Sequence, residues 1–309
     1  MKILITGGAG FIGSHLVDYH LAKGDEVRVI DNLSTGSLDN LQSVMESNNF
    51  HFCKGDVVTD QNFVTFVEQA HYIYHLAAVV GKFKVMTNPL QVLKVNISGA
   101  ERILRVLSPQ QKLLIASTSE VYEIKTDRRF NFIRWNYALS KLTSEALALS
   151  YAKMYDLDVS IVRIFNTIGT RQTGVYGMVV PRFIRQALKG EPITVYGDGQ
   201  QSRCFCPVEA TVGALSKIIS ASKSRGKTFD VGSDKPISIL ELAKLIKGRT
   251  KSKSKIIFVP YKEAYPEGFE DVRSRVPKLK KLMKLVSYHW TFGHLIVALD
   301  EIIEWEGNR

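Results

Sequence analysis

The chain has 309 residues, 45% of them hydrophobic, enough to bury a large core in one domain or two smaller ones and too apolar for disorder to be the default. Forty-one Lys and Arg against 30 Asp and Glu leave a formal charge of +11, which favours an anionic partner without choosing between a polyanion and a phosphorylated small molecule. No apolar run approaches the roughly 20 residues that span a bilayer, Met1 and Lys2 lead straight into an apolar stretch without a leader pattern, and three cysteines cannot build a disulfide framework, so a cytoplasmic protein with no membrane association is expected.

In chain order, short β-rich apolar runs at 2–6, 26–31, 50–53, 72–76, 112–117 and 159–165 alternate with helical patterns, notably 14–23, 89–107 and 137–155. This is the sequence form of repeated βαβ units around a parallel sheet. After Phe165 the texture changes to Gly-rich, Pro-containing loops between short helices. A helix is expected at 208–220 and a strand at 228–231, either of which could return to the main sheet. The lysines of 251–255 and Lys278, Lys280, Lys281 and Lys284 read as solvated faces, and no nucleic-acid-reading motif accompanies them, so no nucleic-acid partner is expected. Cys204 and Cys206 flank one residue with no second Cys or His pair nearby, and Cys53 stands apart, so no metal is expected either.

The segment Thr6-Gly-Gly-Ala-Gly-Phe-Ile-Gly13 follows the first expected strand and opens a helix. Gly7, Gly10 and Gly13 then sit at a turn where backbone can approach a pyrophosphate closely, at a helix N-terminus that favours negative charge. Asp31 ends the next strand 18 residues after Gly13, near the spacing of about 20 expected for an acid that binds an adenosine ribose. Its carboxylate would accept a bond from a 2'-hydroxyl and repel a 2'-phosphate, which favours NAD over NADP. Gly55-Asp56 after the third strand and Leu76-Ala77-Ala78 after the fourth lie where strand ends face the same crevice, leaving room for adenine and ribose. The fold expected is α/β, a Rossmann-type doubly wound sheet.

Tyr137 and Lys141 are four apart in a helical stretch and so share a face. An ammonium beside a phenol favours the phenolate, and the expectation is a Tyr137 pKa lowered from about 10 toward working pH, suiting a general base for a sugar hydroxyl. Ser117-Thr-Ser-Glu-Val-Tyr122 gathers polar side chains at the end of the fifth strand, beside the expected cofactor. Thr118 is the candidate to share the transferring proton, with Ser119 and Glu120 candidates for a second chemical step.

With these motifs in view, the chain resembles the extended short-chain dehydrogenase/reductase family, in its nucleotide-sugar epimerase, dehydratase and decarboxylase branch. The resemblance rests on TGGAGFIGSHL, DNLSTG, HLAA, STSEVY, YALSK, RIFNTIG and GMVVPRFIRQALKGEPITVYGDGQQSRCF, spread over nearly the whole length. It implies an NAD-binding domain over 1–165, with returning segments near 204–232, and a smaller, mainly nucleotide-sugar-binding region over 166–309. It also implies that Phe11, Ile12, Asn32, Ser34, Thr35, Gly36 and Val57 line the cofactor site. Tyr137 and Lys141 would be the catalytic pair and touch the cofactor as well, and the sugar would be oxidised at C4. Asn166, Val180 and Arg203 would face a nucleotide diphosphate, with Arg275 or Arg273 as a second cation. A homodimer paired through the helices near 89–107 and 137–155 is a further expectation of the resemblance, with a UDP-sugar as substrate.

A 4-keto sugar can be reduced on its other face, lose a C5 carboxylate, or lose water. Ser119, where dehydratases of the branch carry an acid, argues against dehydration. Thr118-Ser119-Glu120 is similar to UDP-glucuronate decarboxylases. The segments AAVVGKFKVMTNPL, RQTGVYGMVVPRFIRQALKGEPITVYGDG and EAYPEGFEDVRSRVP are more similar to UDP-glucose 4-epimerases. The sequence reading therefore prefers an epimerase, with a decarboxylase as alternative and a non-catalytic sensor as a rival of another class. Departures from the pattern are Glu123 in place of a glycine, only 14 residues between Tyr122 and Tyr137, and Ala210 and Lys278 where acids would cap helices.

Overall fold

The computed structural model describes residues 1–124, 132–174, 178–265, 272–289 and 291–309, with backbone alone at 82–84 and 132–134. Its strands are β1 (Lys2–Thr6), β2 (Glu26–Asp31), β3 (Phe50–Lys54), β4 (Tyr72–His75), β5 (Lys112–Thr118), β6 (Asp158–Ile164), β7 (Thr167–Ile168), β8 (Ile193–Tyr196), β9 (Ser202–Cys204), β10 (Cys206–Pro207), β11 (Lys227–Val231), β12 (Pro236–Ser238), β13 (Ile256–Val259) and β14 (Ser274–Arg275). Its α-helices are α1 (Phe11–Ala22), α2 (Phe63–Gln69), α3 (Lys82–Thr87), α4 (Pro89–Val106), α5 (Phe132–Tyr155), α6 (Val179–Leu188), α7 (Val208–Ser220), α8 (Ile239–Arg249), α9 (Tyr261–Ala264), α10 (Lys280–Leu285) and α11 (Phe292–Gly307).

The chain divides into two compact units, the first comprising Met1–Ile164, Glu209–Val231 and Lys280–Tyr288. Its heart is a seven-stranded sheet in the order β11-β6-β5-β4-β1-β2-β3, with every neighbouring pair parallel. The order reverses between β1 and β4, and in open α/β sheets a ligand crevice opens at such a switch point, beyond the carboxyl ends of the strands. Runs such as Ile3-Leu4-Ile5 on β1 and Leu113-Leu114-Ile115 on β5 are buried without alternation, as strands covered on both faces require. Between the sheet and one helical layer, Leu4, Ile73, Leu113, Ile115 and Ile161 pack with Phe63 and Val67 of α2 and with Ala100, Ile103 and Leu104 of α4.

Helix α1 begins at Phe11, three residues earlier than the apolar period indicates, because extended Gly10 is its N-cap and the glycine turn leads straight into the first helical turn. Helix α5 begins at Phe132, so Tyr137 stands in its second turn. Strand β11 joins the outer edge of β6, in register from Lys227↔Ser160 to Val231↔Ile164. The return of Lys280–Tyr288, which carries α10, is not signalled in the sequence.

The second unit comprises Phe165–Val208, Gly232–Leu279 and His289–Arg309. Helices α6, α8 and α11 bury Val180, Phe183, Ile184, Leu242, Ile246, Leu299 and Ile302 against Ile193 and Val195 of β8. Helix α8 opens on a reciprocal capping box of Ser238 and Glu241, worth about 1 kcal/mol. Arg185 pairs with Glu306, and Arg249 with Asp300, tying α11 to α6 and α8. The two residues suspected as lost caps do not stand at cap positions. Ala210 is the third residue of α7, where alanine is the best helix former, and Lys278 lies two residues ahead of α10.

Candidate active site

The glycine turn is fixed by its own backbone. Gly7 has φ 74°, donates its N–H to Ile30 O at 2.9 Å, and accepts at its carbonyl from Gly10 N at 3.1 Å. A Cβ on Gly7 would lie 2.8 Å from Ala77 N, and one on Gly13 only 2.2 Å from Gly7 O, so neither position has room for a side chain. The Ser34-Thr35-Gly36 loop lies on this turn: Ser37 N–H and Asn40 Nδ2 both donate to Ala9 O, and a Cβ on Gly36 would meet Ala9 C at 2.7 Å.

Asp31, buried at the end of β2, accepts from Ala9 N–H at 3.0 Å with one carboxylate oxygen and from Leu33 N–H at 2.8 Å with the other. Burial raises its pKa, and those two amides pull the other way. Each oxygen keeps a lone pair, so the carboxylate can stitch the turn and still accept from a hydroxyl. Around it, Asn32 Nδ2 donates to Asp56 at 2.8 Å, Asp56 accepts from Val58 N–H, and Val57 is buried. Leu76, Ala77 and Ala78 follow β4, held where Thr6 accepts Leu76 N–H at its carbonyl and Ala77 N–H at its hydroxyl.

At the end of β5 the chain turns into the one-turn 3-10 helix Ser119–Glu123. Thr118 caps that turn by accepting Glu120 N–H at 3.3 Å, and its hydroxyl neighbours the phenol of Tyr137. The Tyr137 phenol is held above its ordinary value, first by burial and then by the Glu120 carboxylate, while Thr118 pulls it down. This corrects the expectation of a phenol lowered by its lysine, because the Lys141 ammonium is turned to the Ala116 carbonyl, 2.8 Å away. Burial brings Lys141 down to about 8, against an upward pull from Glu145. Thr118, Glu120, Tyr137 and Lys141 all stand near the end of β5, with the Lys141 ammonium on the Ala116 carbonyl. Part of the shortened stretch between Tyr122 and Tyr137, residues 125–131, lies outside the described residues.

Sequence reasoning missed the residues that hold this corner. Asn96 of α4 accepts Val79 N–H at 2.8 Å and donates to Ser140 Oγ at 3.0 Å, and Ser144 Oγ donates to the Asn96 carbonyl. Its signal was an amide in the buried stripe of an amphipathic helix. His75, fully buried, shares a hydrogen bond with Thr6 Oγ1 at 2.8 Å, and burial drives its pKa down to about 3. Glu145 is bound by Arg163 and Ser117, and it continues the spacing of Tyr137 and Lys141 by one more turn.

In the second unit, Asn166 has φ 22° and donates from Nδ2 to Cys204 O at 3.3 Å. Arg203 on β9 and Arg275 on β14 are register partners in a parallel pair, so their guanidinium groups leave the same face. Arg273 is exposed and paired with Asp198 at 2.8 Å, while Arg203 Nη1 donates to the carbonyls of Ser202 and Val272 at 2.7 and 2.8 Å. The Val180 side chain is buried in the core of this unit, so what it can offer a ligand is its N–H in the first turn of α6. Gly177, and residues 266–271 of the late motif, lie outside the described residues.

The profile of the NAD dependent epimerase/dehydratase family matches residues 3–232. The chain belongs to that family. Among curated relatives, a UDP-N-acetyl-alpha-D-glucosaminuronate decarboxylase of Bacillus cytotoxicus is 37% identical, over 98% of this chain and 97% of that protein. UDP-glucuronic acid decarboxylase 1 of Danio rerio is 36% identical, over 93% of this chain and 68% of that protein. Among solved structures, the UDP-glucuronic acid 4-epimerase of Bacillus cereus, in complex with UDP-glucuronic acid and NAD, has a TM-score of 0.85 at 25% identity and covers 98% of this chain and 99% of that one. The first unit of this family member fits NAD on its own geometry. Gly10 caps α1 with no side-chain bond and no acid stands in the first turn, so helix amides meet a pyrophosphate unopposed, and the glycine cradle would be filled by any Cβ.

Proposed function

We propose that this chain is a decarboxylase of a nucleotide-linked uronic acid, working through a 4-keto intermediate. The observation that carries the reading is the 37% identity to a decarboxylase of that substrate class over 98% of the chain, and it displaces the sequence preference for an epimerase. The Thr118-Ser119-Glu120 order, with Glu120 close enough to raise the Tyr137 phenol, supports it locally.

When bound, NAD supplies a hydride acceptor and donor at C4 of the sugar. Once C4 is a ketone, the C6 carboxylate is β to it. The C5–C6 bond then breaks, carbon dioxide leaves, and the electron pair settles on the C4 oxygen as an enolate that takes a proton at C5. Oxidation at C4 releases the hydroxyl proton along with the hydride; Tyr137 as phenolate would take that proton, and the phenol so formed, together with the Thr118 hydroxyl, is a donor pair suited to the C4 oxygen, one such donor being worth about 10²–10³ in rate. Lys141 keeps a positive charge nearby. In the second unit, Arg203 and Arg275 would bind the diphosphate with planar forks, beside the backbone of Val180 and the side chain of Asn166.

The epimerase reading stays second, favoured by the likeness to the UDP-glucuronic acid 4-epimerase and by the epimerase-like segments named above. Pairing of two copies through α4 and α5 is part of the proposal, since Leu90, Leu142 and Leu149 are exposed apolar side chains on those helices. No helix among the described residues is long and apolar enough to cross a membrane.

The test is incubation with NAD and, separately, UDP-glucuronate, UDP-N-acetylglucosaminuronate, UDP-glucose and UDP-galactose, followed by mass spectrometry and NMR. Loss of carbon dioxide from either uronate supports the decarboxylase. Interconversion without change of mass supports the epimerase. NAD binding with no turnover on all four would sink both and favour the sensor.

A further inference from the structure

The clamp around Glu145 has no part in the chemistry proposed above, yet it is built from the same two elements as the catalytic corner. Two consecutive residues of β5 are gripped by two consecutive turns of α5. The Lys141 ammonium donates to Ala116 O at 2.8 Å, and Ser117 Oγ donates to Glu145 Oε1 at 2.5 Å. The next residue of β5, Thr118, meets Tyr137, one helical turn before Lys141. The register of α5 on β5 that joins Thr118 to Tyr137 is therefore fixed by a charged pair of contacts on the same stretch of strand.

We propose that Glu145 is a positioning residue whose carboxylate, bound to Ser117 of β5 and Arg163 of β6, holds the next turn of α5 on the sheet and so keeps the Lys141 ammonium seated on Ala116 at the end of β5, one turn from Tyr137. The carboxylate is itself held in place. Arg163 of β6, the register partner of Ser117, binds both its oxygens, Nε at 2.9 Å and Nη2 at 2.7 Å. Tyr122 stacks on that guanidinium at 4.7 Å and donates to Asp230 of β11, which is in turn the register partner of Arg163. A polar row thus crosses three neighbouring strands and ends on α5. An isolated surface ion pair would not need this much support.

The charge reaches Lys141 from a defined direction. Tyr137 and Glu145 flank Lys141 one turn before and one turn after it on its own helix; the other titratable and charged groups of this corner are His75 of β4, which is neutral, Arg163 of β6, which is bound by Glu145, and Glu120 of the turn after β5, beside Tyr137. Helix α4 presents the uncharged amide of Asn96. Glu145 is the group that opposes the burial of Lys141 and favours its charged form. Without it a buried lysine sheds its proton more readily, and the ammonium leaves the Ala116 carbonyl at a lower pH.

The proposal rests on the catalytic reading of Lys141, and its test separates the two. In NAD-saturated protein carrying 13C-lysine, the Lys141 resonance, assigned by its loss in Lys141→Met, is titrated in wild type, in Glu145→Gln, and in Glu145→Gln/Arg163→Gln. A titration about one to two pH units lower is expected in the single variant. A smaller shift of the same sign is expected in the double one, where a repelling cation has gone as well. Where turnover is measurable, the alkaline limb of kcat moves down with the titration and KM holds. Folded variants in which Lys141 titrates as in wild type would overturn the proposal. So would failure of both variants to fold, since the carboxylate would then be structural. Because the titration needs no substrate, an inactive wild type would sink the catalytic reading alone.

Discussion

Replacing Gly13 by alanine sets two effects of known size against each other. Gly13 lies inside α1, and in a helix interior alanine is favoured over glycine by roughly 1 kcal/mol. A secondary-structure view alone therefore expects stabilisation. The structure expects the reverse, because the new Cβ would stand 2.2 Å from Gly7 O and 2.7 Å from Gly8 Cα, both main-chain atoms that no rotamer change can move aside. Relief needs the start of α1 to shift by about 1 Å from the turn, and overpacking of this kind costs roughly 1–3 kcal/mol. The net expectation is a loss of up to about 2 kcal/mol, or a Tm lower by several degrees for a unit of this size. The same shift moves the amides of α1 away from the pyrophosphate, so NAD affinity should fall by tenfold or more, each tenfold being about 1.4 kcal/mol. Thermal unfolding with and without NAD, together with calorimetric titration of NAD, reads both. A Gly13→Ala protein with a higher Tm and unchanged NAD affinity would refute the reasoning.

Three further expectations follow from the site. Tyr137→Phe should abolish turnover and leave NAD affinity within a few fold, measured by steady-state kinetics beside titration; undiminished turnover would remove the phenol from the mechanism. Asp31→Ala should weaken NAD and narrow its advantage over NADP, since the variant loses both the acceptor and the repelling charge as well as the stitch to Ala9; binding curves for both dinucleotides decide it. His75 is held neutral with a folded pKa of about 3 against about 6.5 unfolded, so the unfolded chain binds the extra proton between those values, and stability must fall as pH drops from about 6.5 toward 3. Urea unfolding across that range should show a shallower acid decline in His75→Asn; an identical decline would mean that other groups carry it.

The sheet was legible because strands buried on both faces write themselves as unbroken apolar runs, and β1, β2 and β5 start where the runs start. The glycine turn and Asp31 were legible because close approach and a single carboxylate leave few substitutes. Helix boundaries were less so. The start of α1 is set by the extended Gly10 rather than by the apolar period, and Ala210 looked like a lost cap only until the helix was seen to begin two residues earlier. Least legible was the direction of the Tyr137 shift. Spacing puts Lys141 on the same face, but which neighbour dominates depends on where the ammonium points, and that is decided by the Ala116 carbonyl on another element. For the same reason, that Arg203 and Arg275 stand opposite each other was readable only from the register of β9 and β14.

Strand β11 has a consequence for how the chain is made. The edge of β6 that it covers is complete by Ile164, but the covering residues, Lys227–Val231, are more than sixty positions downstream. On the ribosome, residues 1–164 will have emerged with β6 presenting an open row of amides and carbonyls, and with Tyr122 lacking its Asp230 acceptor, until that later segment is translated. Nascent chains halted between these points should therefore be prone to edge-to-edge association and drawn to chaperones. A gene fragment cut after residue 164 should yield insoluble protein, whereas one that also supplies 209–231 on a short linker should recover a folded sheet.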